Sequence, residues 1–437
     1  MIRLLNVDLH SMSNIPERDK KAVWHPFTHQ KNATLPLHIV KGEGVYLFDT
    51  ESNKYVDAFS SWWVNLHGHA NKYIADKIYE QAKTLEHVAF SNFTHEQAVV
   101  LAERLLRHLT DQAKVFYSDN GSTSVEVAIK MAIQYHHNQG KKKNKIIALK
   151  NGYHGDTFGS MSVAERNVFN KAFEPLLFDV IHIPVPIKGM EDASLAALKK
   201  ALEDDTVAAF IFEPLVQGAG GMVMYEPSIL NELLKECKKK NCITIADEVM
   251  TGFGRTGKFL ACDYISEKPD IICLSKGITG GFMPLGVTSC AQFIYDAFIS
   301  DDKTKTFYHG HSYTANPLAC AAANASLDLL EKPETQKQIE MLSAFFGKLE
   351  TKLDNHKALI DCRHRGTILA LELKTDETTS YLNPVTERIT NFYLKRGIIV
   401  RPLGNILYFI PPYCITIKEL QSIESVTIEM LDLWPNV

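Results

Sequence analysis

Asp247 and Lys276 carry the most direct chemical signal in the chain. Each follows a short apolar run: Ile243 to Ala246 leads into Asp247-Glu248, and Ile271 to Leu274 leads into Ser275-Lys276-Gly277. One strand–helix–strand step separates them, so both side chains can stand at neighbouring strand ends, where open parallel sheets bind ligands. A carboxylate there can hold a cationic ring nitrogen, and a deprotonated lysine amine can form a Schiff base. Alone, the pair also reads as a buried salt bridge without chemistry. Two further strand ends favour a cofactor. After Lys114 to Tyr117 comes Ser118-Asp119-Asn120-Gly121-Ser122-Thr123, opening a helix whose N–H groups and dipole, with the Ser122 hydroxyl, suit a phosphate. After Ile146 to Leu149 comes Asn151-Gly152-Tyr153-His154-Gly155-Asp156, where the Tyr153 ring can cover a planar group. A phosphate cradle, a partner for a ring nitrogen, a ring cover and a lysine are together what pyridoxal phosphate requires.

Other patterns carry less. Gly252-Phe253-Gly254-Arg255-Thr256-Gly257-Lys258 has P-loop spacing, but Phe259 stands where a Ser or Thr would hold magnesium. No G-x-G-x-x-G follows the first strand, which leaves a nicotinamide enzyme with little support. His67-x-His69 and His309-x-His311 have no acidic or cysteine partner nearby in sequence, so they read as structural or substrate-lining residues and no metal is expected.

The elements that must position these residues alternate. Strands are expected over Lys114 to Tyr117, Ile146 to Leu149, Ala208 to Phe212, Ile243 to Ala246, Ile271 to Leu274 and Val287 to Cys290. Helices are expected over Ser122 to His137, Ser194 to Glu203, Ser228 to Lys240 and Pro317 to Leu330. This alternation predicts an α/β fold with a mostly parallel sheet covered by helices on both faces. The ends differ. Gly44 to Phe59 reads as a hairpin, Ile368 to Leu373 as a strand, and Ile398 to Val400 with Ile406 to Ile410 as a short strand pair. Thr416-x-x-Glu419 signals a final capped helix. The expected organisation is an N-terminal segment, 1–60, joining a C-terminal α+β small domain, 331–437, around a large cofactor-binding domain, 61–330.

Composition narrows the partners. Of 437 residues, 45% are hydrophobic and 22% charged, which excludes a disordered, collagen-like or coiled-coil protein. Lys+Arg is 47 against Asp+Glu 51, so no nucleic-acid partner is expected, and Lys141-Lys142-Lys143-Asn144-Lys145 reads as a solvated loop. No run approaches the roughly 18 apolar residues of a membrane span, and Met1 to Lys20 lacks the apolar core of a signal peptide. Eight cysteines without a C-x-x-C pair read as reduced, core-packed thiols of a cytoplasmic protein.

Asp247-Glu248-Val249-Met250-Thr251-Gly252-Phe253-Gly254-Arg255-Thr256-Gly257 and Leu274-Ser275-Lys276-Gly277-Ile278-Thr279-Gly280-Gly281 match the aspartate and lysine motifs of one family. The chain resembles, over almost its whole length, the class III (ω-type) aminotransferases of pyridoxal-phosphate fold type I. Trp24-His25-Pro26-Phe27-Thr28, Ser60-Ser61-Trp62-Trp63-Val64-Asn65-Leu66-His67-Gly68, Gln217 to Met222 and Asn316 to Leu327 extend the match. The tryptophan pair separates it from members acting on ornithine or 4-aminobutyrate. The resemblance implies a transaminase with a small-molecule amino donor and keto-acid acceptor. It makes Lys276 the Schiff-base lysine, Asp247 the pyridine-nitrogen partner, Gly121 and Ser122 the phosphate cradle, and Tyr153 the ring-stacking and substrate-contacting residue. His311 and Ser312 sit where a neighbouring subunit contributes to the phosphate site, implying a homodimer with shared active sites. Phe27, Trp62, Trp63 and Gly310 match substrate-contacting positions, and Arg401 matches the arginine that grips a carboxylate. Two departures stand out. Phe27 replaces the Tyr of members that draw their amino group from adenosylmethionine, which brings lysine in as an alternative donor. His311-Ser312 replaces Pro-Thr.

Overall fold

Apolar runs bounded by polar turns build a seven-stranded sheet. Its spatial order is Lys114–Ser118, Gly286–Cys290, Ile271–Leu274, Ile243–Asp247, Val207–Phe212, Lys145–Leu149, Val180–Ile183. Gly286–Cys290 runs antiparallel to both neighbours, and every other adjacent pair is parallel. The structure, a computed structural model, describes residues 14–435. The signal-peptide reading of Met1 to Lys20 and the start of the 1–60 segment therefore fall largely outside the described residues.

The central strands are buried at every position because both sheet faces are covered. Along Val207–Phe212 the side chains alternate, with Phe210 and Phe212 entering one core and Ala209 and Ile211 another. Gly121–Asn138 and Pro227–Lys239 are among the covering helices. Pro227 and Pro317 each stand in the first turn of a helix, where a missing N–H costs nothing. The last helix, Ile417–Leu433, starts at the Thr416/Glu419 capping box.

A separate apolar core joins Val45, Val56 and Ala58 to Leu342, Phe346, Leu371, Ile389, Leu407 and Ile423. Residues from both ends of the chain thus share one interior. Ile398–Ile399 and Ile406–Phe409 do not pair with each other, contrary to the sequence reading. The first lies parallel to Lys54–Asp57, and the second antiparallel to Ile368–Leu373. The chain between them closes on itself through a single Leu403–Ile406 bridge. Asn405, whose side chain donates to Leu373 O at 2.8 Å, docks it on the other sheet. Five strands, Ile39–Glu43, Val180–Ile183, Val216–Gln217, Val223–Met224 and Leu359–Arg365, were not anticipated. All eight cysteines are free, but Cys362 is only half-buried and Cys414 is exposed, in the turn after Pro411-Pro412.

Phe346 is fully buried at the centre of the second core. Phe346→Ala is expected to cost about 3–5 kcal/mol by cavity formation, checked by denaturant unfolding of the purified protein.

Candidate active site

Parallel register brings the chemistry together. Ala246 pairs with Phe212 on one side, and Asp247 pairs with Cys273 on the other. Glu213 and Asp247 therefore emerge side by side at strand ends, with Lys276 just beyond the third. Asp247 is 5% exposed, and its Oδ2 accepts from His154 Nδ1 at 2.7 Å while Oδ1 accepts from Val249 N at 3.1 Å. Burial works against a protonated His154, yet the Asp247 hydrogen bond and charge, with Glu213 behind, hold its pKa above the ordinary imidazole value. Glu213 accepts from the Gly218 and Tyr153 backbone N–H groups at 2.8 and 3.1 Å. Burial and the neighbouring Asp247 charge push its pKa up to about 7, against the opposing effect of His154. Burial lowers the Lys276 pKa, opposed by the Asp247 and Glu213 charges. Its Nζ lies 4.7 Å from the Trp63 ring centroid.

The helix Gly121–Asn138 begins at the mouth of this crevice. Asn120 and Thr123 cap each other reciprocally. The Gly121 and Ser122 N–H groups have no acceptor among the described residues, as the first-turn donors of a helix should if they serve a ligand. Gly155 (φ +126°) lies against Ser122 so closely that a Cβ would come within 2.3 Å of the hydroxyl oxygen. Ser122 Oγ in turn accepts from Thr157 N at 3.0 Å.

Another part of the wall comes from an uncommon piece of backbone. Ser60, Ser61, Trp62 and Trp63 all have positive φ (54°, 44°, 73°, 73°) and form a left-handed helical turn closed by Trp63 N→Phe59 O and Val64 N→Ser60 O at 3.0 Å. For a non-glycine residue this conformation costs roughly 1–2 kcal/mol. The turn is pinned from outside. Ser60 Oγ donates to Ile410 O at 2.6 Å, and Trp63 Nε1 donates to Tyr408 OH at 3.0 Å. Arg255, fully buried with no carboxylate partner among the described residues, donates to Trp63 O, Asn65 O and Pro411 O and lies over the Tyr413 ring. Gly218 makes room for Trp63, whose ring would stand 3.1 Å from an added Cβ.

These pieces enclose a cavity of about 820 Å³. Phe27, Trp62, Trp63, Gly121, Ser122, Tyr153, Asp247, Lys276 and Arg401 all line it. Gly310, His311 and Ser312 do not, and His311 Nε2 is buried without a partner. The Arg401 guanidinium stacks 4.1 Å from the Trp62 centroid and has no acid partner among the described residues. Phe27 meets Trp62 edge-on at 5.5 Å. The paired histidines have other partners: His67 bonds Ser326, His69 bonds Asp57 and His309 bonds Lys130. No metal-ligating cluster occurs among the described residues. The donor set fits pyridoxal phosphate: two free helix-start N–H groups for an anion, a braced carboxylate, and a desolvated lysine in one cavity.

Several lining residues went unassigned in the sequence. His154 follows Tyr153 directly in the loop after its strand, and Glu213 comes immediately after Val207–Phe212, so position could have flagged both. Phe169 and Tyr381, 4.6 Å apart, reach the cavity from loops with no motif.

A family model described as Aminotransferase class-III matches residues 27–430. The adenosylmethionine-8-amino-7-oxononanoate aminotransferase of Synechococcus elongatus is 48% identical, covering 94% of this chain and 98% of that protein. The enzyme of that name from Helicobacter pylori is 40% identical, covering 97% and 99%. The crystal structure of the Methanocaldococcus jannaschii enzyme of that name superposes with a TM-score of 0.91 at 38% identity, covering 95% of this chain and 98% of that one. An amine transaminase from an uncultivated Pseudomonas species, solved with PLP bound, gives 0.87 at 30% identity, covering 93% and 97%.

The Glu213 carboxyl is expected to make the cofactor-free protein pH-sensitive. Its folded pKa, about 7, lies above the ordinary 4.5, so its contribution to stability is fully present below 4.5 and is lost as pH rises through about 7. Glu213→Gln should flatten that part of the decline, read from denaturation midpoints across the window.

Proposed function

The chain belongs to the class III aminotransferases, pyridoxal-phosphate-dependent enzymes, and on that premise we propose that it converts 8-amino-7-oxononanoate to 7,8-diaminononanoate in biotin biosynthesis. The observation that carries this reading is a guanidinium, Arg401, with no acid partner among the described residues, set against an aromatic wall in the same cavity as Asp247 and Lys276. A keto acid with a long apolar chain and a terminal carboxylate suits that arrangement. S-adenosylmethionine is the proposed amino donor, with lysine as the alternative raised by Phe27.

Bound pyridoxal phosphate supplies an aldehyde that takes up the donor's amino group and a ring that accepts the electron pair left when the donor carbon loses its proton. Gly121 and Ser122 would hold the phosphate by backbone N–H groups and a hydroxyl, and Tyr153 would cover the ring. Asp247 would offer its carboxylate to a protonated ring nitrogen, with its orientation fixed by His154 Nδ1–H on Oδ2. Lys276 Nζ, made less basic by burial, takes the proton from the donor carbon and later returns one. Arg401 grips the acceptor carboxylate with two parallel hydrogen bonds, and Trp62, Trp63 and Phe27 flank the aliphatic chain, excluding water from it.

The proposed assembly is a cytoplasmic homodimer in which His311 and Ser312 complete the phosphate site of the neighbouring copy and Gly310 meets its substrate. Their position outside their own chain's cavity supports this, as do the exposed Tyr308 and Tyr313 beside them. Among the described residues no helix is long and apolar enough to cross a membrane.

Borohydride treatment of the cofactor-loaded protein should fix the cofactor mass on the peptide containing Lys276. Lys276→Ala should lose both that label and turnover, and a labelled, active variant would overturn the role. Arg401→Ala should raise the acceptor KM by roughly 10²-fold, the scale of a charged hydrogen-bonding partner, and leave the donor half-reaction near wild type. Stopped-flow profiling with adenosylmethionine and lysine, then 8-amino-7-oxononanoate, identifies the donor. Reaction only with diamines or ω-amino acids would favour another ω-aminotransferase.

A further inference from the structure

The left-handed turn Ser60 to Trp63 puts two adjacent, bulky rings to two different uses. Trp62 faces Phe27 and Arg401, and Trp63 faces Lys276. In an extended strand neighbouring side chains leave on opposite faces, so only one of the two rings could line the cavity. Coiling the backbone here brings both to it. None of the four residues is glycine, so the conformation is strained and persists only where surrounding bonds over-determine it.

One such bond comes from within the segment. Ser61 Oγ donates to Asp57 Oδ2 at 2.8 Å. Asp57 is fully buried, and the same oxygen receives His69 Nε2 at 2.9 Å. The other ring nitrogen of His69 meets Asn65 Nδ2 at 3.1 Å. Asp57 precedes the turn, while Asn65 and His69 follow it, so the network ties the entry of the turn to its exit. The order is serine–carboxylate–histidine, with Asp57 between the other two. The imidazole is thus on the carboxylate and not on the hydroxyl, so the network orients Ser61.

We propose that Ser61 is a positioning residue for acceptor recognition: its hydrogen bond to Asp57 holds the strained turn so that Trp62 and Trp63 form the cavity wall. The inference rests on the acceptor reading given above. It differs from a direct role for the Ser61 hydroxyl, which also borders the cavity.

Two substitutions separate these roles. Ser61→Ala removes the tether and keeps the strain, whereas Ser61→Gly removes the tether and the strain together, since glycine adopts positive φ freely. With the cofactor-loaded enzyme, Ser61→Ala should raise the acceptor KM roughly three- to tenfold, the equivalent of one hydrogen bond. Its donor half-reaction should slow by no more than the same factor, since Trp63, held by the same turn, faces Lys276. Ser61→Gly should recover most of the acceptor KM and melt above Ser61→Ala. If Ser61→Gly is as impaired as Ser61→Ala, the hydroxyl meets the acceptor itself and the proposal fails. If Ser61→Ala matches wild type in KM and melting temperature, the tether holds nothing and the proposal fails equally. Should wild-type enzyme not use 8-amino-7-oxononanoate, the acceptor reading falls, and the melting order of the two variants still decides whether the tether carries the strained turn.

Discussion

Keeping one lysine amine out of water, within the field of two carboxylates and beside an aromatic face, is the constraint that the rest of the structure serves. An ammonium in such a place is costly unless compensated, and an amine there is a usable base. Asp247 and Glu213 provide the compensation from the ends of adjacent parallel strands, and those strand ends coincide only because the register is held by side chains buried on both faces. The two carboxylates are not equivalent. Asp247 is braced by a histidine, whereas Glu213 has only backbone donors and a pKa near neutrality. Burial thus gives the pair one carboxylate fixed in orientation by a side chain and one whose proton affinity is raised.

Much of this was legible in the sequence because it depends on local order. Polar residues directly after apolar β-rich runs identified Asp247, Lys276, Tyr153 and the Gly121-Ser122 helix start, and the alternation of those runs with helical patterns identified six of the sheet strands. What escaped depends on contacts distant in sequence. Ile398–Ile399 and Ile406–Phe409 read as partners because they are neighbours along the chain, yet each pairs with a strand reached through tertiary packing. Phe169 and Tyr381 enter the cavity from loops whose composition carries no period at all. Arg255 sits within a motif that was legible, but its function as a buried donor to three carbonyls depends on segments near residues 63 and 411 that no local pattern links to it.

The two walls of the cavity solve opposite problems. On the strand-end side, polar groups are held where hydrogen bonds and charge can be satisfied, and the geometry is set by the most rigid part of the fold. On the other side, large rings suited to an apolar chain come from strained backbone and loops. Arg401 belongs to the second wall, and its stacking on Trp62 has a physical reason. A guanidinium lying against an indole keeps its planar N–H edge free for a carboxylate while its face stays covered. The charge can then wait for a ligand without an acidic side chain that the ligand would have to displace. With a guanidinium placed among rings, the proposed recognition of a carboxylate and of an apolar chain would be one event: each ring that excluded water from the chain would also strengthen the electrostatic grip at its end.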